Sequence, residues 1–135
     1  MTNFNFLDDD QLVDALLVEV AGLLSRLIED GEEGAIDLLG LPLSPFCVAE
    51  LERRLGRGEI SVELDAIGLS KIRETGFPGV WWTQHVDESG RVIARLIETT
   101  AIPKILRADV DDMKRGRKLL LASIDVAVKT SRSAA

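Results

Sequence analysis

The sequence predicts an α+β domain, an antiparallel sheet of about three to five strands packed against N-terminal and C-terminal helices. Apolar residues recur at helical spacing through residues 8–30. From Glu59 the period changes to two, as in a strand with one wet face. Two further apolar runs, Val80 to Val86 and Val92 to Ile97, flank "DESG", whose leading Asp and closing Gly suit a hairpin loop built on a type I turn.

The first helix is expected over residues 8–30. Asp8 to Asp10 cap it and complement its positive end, and Leu12, Leu16, Val20, Leu23 and Leu27 form its stripe. Val13, Leu17, Leu24 and Ile28 widen that stripe beyond one face, so the helix is read as deeply buried and shared with a second subunit in a homodimer. Asp14, Glu19 and Arg26 interrupt it too often for a membrane span. Gly31 and Gly34 bracket its end, and Ala35 to Leu39 is a short apolar run, strand or extended. Ser44 and Pro45 then supply an N-cap and a first-turn proline for a second helix carrying Val48, Leu51 and Leu55, which Gly56 stops.

Ile60, Val62 and Leu64 alternate with acidic and polar residues in the first long strand, "IGLS" turns the chain, and Lys71 to Thr75 continues as another strand. Gly76 to Gly79 interrupts the ladder, because Pro78 has no N–H to donate and belongs at an edge, bulge or bend. Val80 to Val86 and Val92 to Ile97 pair antiparallel, and Pro103 ends the sheet. A last helix begins at Asp109 to Asp112 and carries Met113, Leu120, Ile124 and Val128; the Ser/Ala-rich tail 130–135 is expected to fray. No repeat or linker divides residues 1–135, which read as a single domain.

With 46% hydrophobic and 29% charged residues the chain is a folded globule, and its net charge of −7 removes the general attraction to phosphate that nucleic-acid binding needs. The single Cys47 excludes an internal disulfide, and no Cys/His spacing fits zinc. A reducing cytoplasm is the expected compartment, since Asp8 to Asp10 stand where a secretory signal carries basic residues.

His85 is the natural acid/base candidate, but no nucleophile motif accompanies it, and a binding or structural role is favoured. A small enzyme or ligand-binding domain built around His85 with Glu74 or Glu98 is the alternative, and a metal or cluster carrier using Cys47 and His85 a more distant one. Cys47 lies in the first turn of the second helix, where the dipole could lower its thiol pKa, against the plainer reading of a small buried apolar residue. The acidic clusters all sit at helix ends, "GRG" at 56–58 makes no phosphate loop, and Lys114 to Lys118 decorates a solvated face. The chain's only two tryptophans, Trp81 and Trp82, stand side by side, so a strand would turn them to opposite faces. One is expected in the core and the other, with Phe77, Pro78, Gly79, Arg73 and His85, on a protein-binding surface.

"LPLSP", "LERRLGRGEIS", "IRETGFPGVWW" and "IETTAIPKIL", in that order, resemble the C-terminal conserved region of the HupH/HyaF hydrogenase expression proteins over roughly Leu39 to Leu121, with residues 35–129 as the α+β body. The positions that carry the resemblance are Leu55, Gly56, Gly58, Glu59, Arg73, Thr75, Gly79, Trp81, Trp82, Glu98 and Pro103. The resemblance implies a non-catalytic accessory protein or chaperone of [NiFe] hydrogenase maturation, with no cofactor. Its expected partners are the small, iron–sulfur-cluster-bearing subunit or other maturation proteins. Many members of that family have additional sequence ahead of this region, and the apolar helix is expected to stand in its place here.

Overall fold

The computed structural model describes the backbone of residues 7–134 and the side chains of residues 7–124. The elements follow in the order α1 (Asp9–Asp30), β1 (Gly34–Asp37), α2 (Pro45–Leu55), β2 (Ser61–Ala66), β3 (Gly68–Glu74), β4 (Val80–Val86), β5 (Val92–Thr99) and α3 (Val110–Ala134). A single 3-10 turn at Lys104–Leu106 precedes α3. The chain forms two compact units, Met1–Pro103 and Lys104–Ala135.

The first unit holds one antiparallel sheet in the order β1-β5-β4-β3-β2, with α1 and α2 against one face. The α+β class with helices at the N- and C-terminal regions is therefore observed. α1 starts where its sequence specifies: the Gln11 N–H donates to Asp8 Oδ1 at 2.7 Å, and the Asp8 N–H donates to Gln11 Oε1 at 3.2 Å. α2 is opened by Ser44, whose Oγ accepts the Cys47 N–H at 3.1 Å, and by Pro45 in its first turn. Cys47, Leu51 and Leu55 recur at helical spacing and meet Leu12, Leu16 and Val20 of α1 over Ile36, Val80, Trp82 and Ile97 of the sheet.

α1 is less enclosed than its pattern suggests. Leu12, Val13, Leu16 and Val20 are buried, but Val18 is 72% and Ile28 75% exposed. One stripe packs on the sheet together with Val13, and of the residues that widen it Leu17 and Leu24 line an open groove described below, while Ile28 is exposed.

Two turns set the sheet. The expected "IGLS" turn is much tighter: Ala66 already pairs with Gly68 and Asp65 with Leu69, leaving Ile67 alone at the tip. The reversal depends on Gly68, which has φ +90°; a Cβ there would lie 2.1 Å from the Val86 carbonyl oxygen. Between β4 and β5 the Gly90 N–H donates to Asp87 O at 3.0 Å. The Asp87 carboxylate accepts the Ser89 hydroxyl and the Ser89 and Arg91 N–H groups, which hold its pKa below the usual carboxylate range, the Ser89 side chain contributing most. β5 runs to Thr99, two residues beyond the expected Ile97, because its end pairs with both Val80 and Gly34.

Both tryptophans are buried, each 3% exposed, which corrects the expectation that one faces solvent. Trp82 shares the helix-covered face with Ile97 and Arg73, its cross-strand neighbours, and the Arg73 guanidinium stands 5.6 Å from its ring centroid. Trp81 points to the opposite face and donates its indole N–H to Thr100 O at 3.1 Å. On that face Ile72 and Thr83 are also buried, so both faces of β4 are withheld from water over Val80 to Thr83.

In the second unit the Asp112 N–H donates to Asp109 Oδ1 at 2.7 Å and opens α3. The helix continues to Ala134; the side chain of Val128 lies outside the described residues, as does Ala135. Apolar Met113, Leu120 and Ile124 are exposed.

Cys47 is fully buried, and its pKa is raised, first by that burial and then by Asp9 and Asp10. Desolvation outweighs the helix dipole that the sequence suggested would lower it. A thiol whose pKa is raised only in the folded state favours folding while neutral. That stability is fully present below the unfolded thiol's pKa of about 8.5 and is lost as pH rises through the folded value. Urea midpoints measured across this range should fall more steeply for the wild type than for Cys47→Ala. Gly68→Ala should cost about 3 kcal/mol or more in the same assay, since it adds a carbonyl clash to a left-handed strain of about 1–2 kcal/mol.

Candidate binding site at the Phe77–Val80 turn

The segment between β3 and β4 is a tight turn whose chemistry is written in "FPGV". Pro78 fits its second position, Gly79 supplies φ +90° at the third, and the Val80 N–H donates to Phe77 O at 3.0 Å, which is a type II turn. Thr75 holds both arms: its N–H and its hydroxyl donate to Val80 O at 3.0 and 2.9 Å, while its Oγ1 accepts the Phe77 N–H at 3.2 Å. Gly79 packs so close to α1 that a Cβ would stand 3.2 Å from Leu24 Cδ1. Both anchors fix the backbone of the turn, and the Phe77 ring it carries is 51% exposed.

Phe77 forms one wall of an apolar groove of about 230 Å³ lined by Leu17, Val20, Ala21, Leu24, Leu55 and Val80, with Arg54 at its rim. Arg54 is tied to Asp14 at 2.5 Å, which leaves the floor free of charge. The α1 wall is missing from the sequence-derived set of site residues. Its signal is the widened apolar stripe of α1, of which Leu17 and Leu24, at i and i+7, reach the groove.

The remaining candidates lie apart. Arg73 turns inward: Nη1 donates to Gly56 O at 2.9 Å and Nη2 faces Glu52 Oε2 at 3.2 Å, so it joins the end of α2 to Trp82. His85 is partly buried on the Trp81 face, with Nδ1 2.5 Å from Ser70 Oγ. Glu74 and Glu98 both pair with Trp81, four residues along β4 from His85. That spacing is about 13 Å, too far for His85 to share a proton with either. Cys47 lies in the helix-covered core and His85 on the other face of the sheet, so one chain does not bring them together. No group of three or more His, Cys, Asp or Glu suited to a metal occurs among the described residues, and no described helix is long and apolar enough to cross a membrane.

Comparison with known proteins agrees with this architecture. The HupH hydrogenase expression protein, C-terminal conserved region, matches residues 12–127, and so takes in most of α1 as well as the part from Leu39 onward. The chain is 36% identical over 81 residues to the hydrogenase expression/formation protein HoxQ of Azotobacter vinelandii, a stretch covering 58% of this chain and 29% of that protein. With the hydrogenase expression/formation protein HupH of Rhodobacter capsulatus it shares 26% identity over 104 residues, 73% of this chain and 38% of the relative. The chain thus spans less than two fifths of these curated relatives. Among solved structures, the hydrogenase expression protein HupH from Thiobacillus denitrificans superposes with a TM-score of 0.81 at 38% identity, covering 84% of this chain and 94% of that one. The family match extends over most of the chain and the solved relative shares its fold, and the chain belongs to the HupH hydrogenase expression protein family, of which it carries the C-terminal conserved region.

Proposed function

We propose that this domain is a non-catalytic accessory protein, a chaperone in [NiFe] hydrogenase maturation, which holds an apolar segment of the small-subunit precursor or of another maturation factor in the cytoplasm. The observation that carries the reading is Phe77, a large apolar ring half exposed beside an apolar groove, on a turn anchored by Thr75 and by the approach of Gly79 to α1. Aromatic rings at the edge of a preformed apolar pocket are typical anchors of protein contacts. The names of the relatives, hydrogenase expression/formation proteins, supply the biological setting. The reading revises the role of the tryptophans: Trp81 and Trp82 brace β4 from both sides, and Phe77, Pro78 and Gly79 present the contact. The rival enzyme built on His85 is disfavoured by its separation from Glu74 and Glu98.

A homodimer through α1 is the other use of its wide apolar stripe and would cover the same groove. Sedimentation at rising protein concentration distinguishes the two, because a client-binding groove leaves the protein monomeric. A tagged pull-down from hydrogenase-producing cells, read by mass spectrometry for the small-subunit precursor, tests the site itself. Phe77→Ala should reduce recovery about tenfold, the usual consequence of removing an interface anchor of about 1.4 kcal/mol or more, while His85→Ala leaves it unchanged. Equal recovery by folded Phe77→Ala protein would remove the groove from the mechanism.

A further inference from the structure

The sheet ends on one side in β1, four residues long, and on the other in β2, six residues long. We infer that the free edge of β2 receives an extended segment of a partner protein, one alternating lysine or arginine with aliphatic residues, as an added sixth strand. The inference uses none of the residues that line the groove and stands independently of it.

Backbone geometry comes first. The Glu74 N–H donates to Ile60 O at 2.9 Å, and the β2–β3 register continues from there without a bulge. Antiparallel pairing alternates, so Val62 and Leu64 turn their backbone groups to β3, and Ser61, Glu63 and Asp65 turn theirs away from the sheet. The side chains of Ser61, Glu63 and Asp65 are exposed, and among the described residues no other strand lies beyond β2. Edge strands are commonly guarded by lysine, proline, a bulge or other charge; β2 has no lysine, proline or bulge, and its guard is the negative charge of Glu63 and Asp65, which repels an acidic strand and admits a basic one.

The side chains then select the occupant. Along residues 59–67, "EISVELDAI", the carboxylates Glu59, Glu63 and Asp65 share one face and the stretch itself holds no lysine or arginine, although Arg57, just before it, lines a hollow with Ser61 and Glu63. On β3, Lys71 pairs with Glu63 and Arg73 with Ser61, but both lie on the inner side of β2, away from the free edge. The other face carries Ile60, Val62 and Leu64, and Ile67 stands 89% exposed at the tip. An added strand would therefore meet acids on one face and aliphatic side chains on the other. A basic–aliphatic alternation satisfies both, because cross-strand pairs of opposite charge are favourable and like charges are not. A second copy is disfavoured by the same pattern: an antiparallel β2–β2 pair centred on Glu63 sets Glu63 against its own copy, with Asp65 close by on the same face.

The test is an NMR titration of the full chain with a short acetylated peptide alternating lysine and valine, beside the same peptide with glutamate for lysine. The lysine peptide should bind at least about tenfold more tightly at low salt, slowing amide exchange at Ser61, Glu63 and Asp65. Val62 and Leu64, already bonded to β3, should change little. Glu63→Pro removes an outward N–H without touching a β3 bond, and it should abolish this binding while the remaining sheet resonances are retained. Glu63→Lys keeps the backbone edge and should narrow or reverse the preference between the two peptides. Unchanged binding by folded Glu63→Pro protein, or shifts confined to other surfaces, would overturn the inference. So would protection of the β2 amides by protein concentration alone, which would identify a second copy as the occupant.

Discussion

Everything in the first unit follows from burying two adjacent indoles on opposite faces of one strand. A strand alternates its side chains, so Trp81 and Trp82 cannot share a core. Keeping both from water requires cover on each face of β4 and places that strand in the interior of the sheet, third of five. On the Trp82 side, α1 and α2 provide the cover, and Arg73 completes it by bridging the ring to the last turn of α2. On the Trp81 side, the indole N–H needs an acceptor and finds Thr100 O just past the end of β5, which ties the exit of β5 to the entry of β4.

That arrangement also explains why the exposed contact residue is Phe77 and not a tryptophan. β4 begins at Val80, directly after the turn, and Thr75 bonds across the base of the turn to Val80 O. With β3 and β4 locked in register below it and Leu24 of α1 against Gly79, the turn is a rigid projection beside an apolar helix wall. A rigid aromatic loses little entropy when a partner covers it, and this makes such a projection effective in recognition.

The polar features follow the same economy. Cys47 sits at a helix N-terminus yet is pressed into the α1–α2 contact, and its burial sets the thiol's behaviour. His85 and Ser70 face each other across β3 and β4, a cross-strand polar pair with its carboxylate neighbours four residues away beside Trp81. The charged residues of β2 remain at the sheet's edge, where solvent can reach them.

The sequence by itself determined the elements whose signals are local. The capping box at Asp8, the Ser44-Pro45 start of α2, the left-handed glycines, the alternation of β2 and the Asp87–Gly90 loop each act within a few residues, where spacing alone decides. It also placed the two tryptophans on opposite faces, which alternation guarantees. Tertiary structure alone decided whether the second face would be covered, because burial of Trp81 depends on atoms far from it in sequence. The tight reversal at Ile67 depends on the approach of Gly68 to Val86, and the use of Leu17 and Leu24 as a groove wall depends on where the Phe77 turn arrives. The net effect on Cys47 likewise came from packing, since helix position is a local property and desolvation is not.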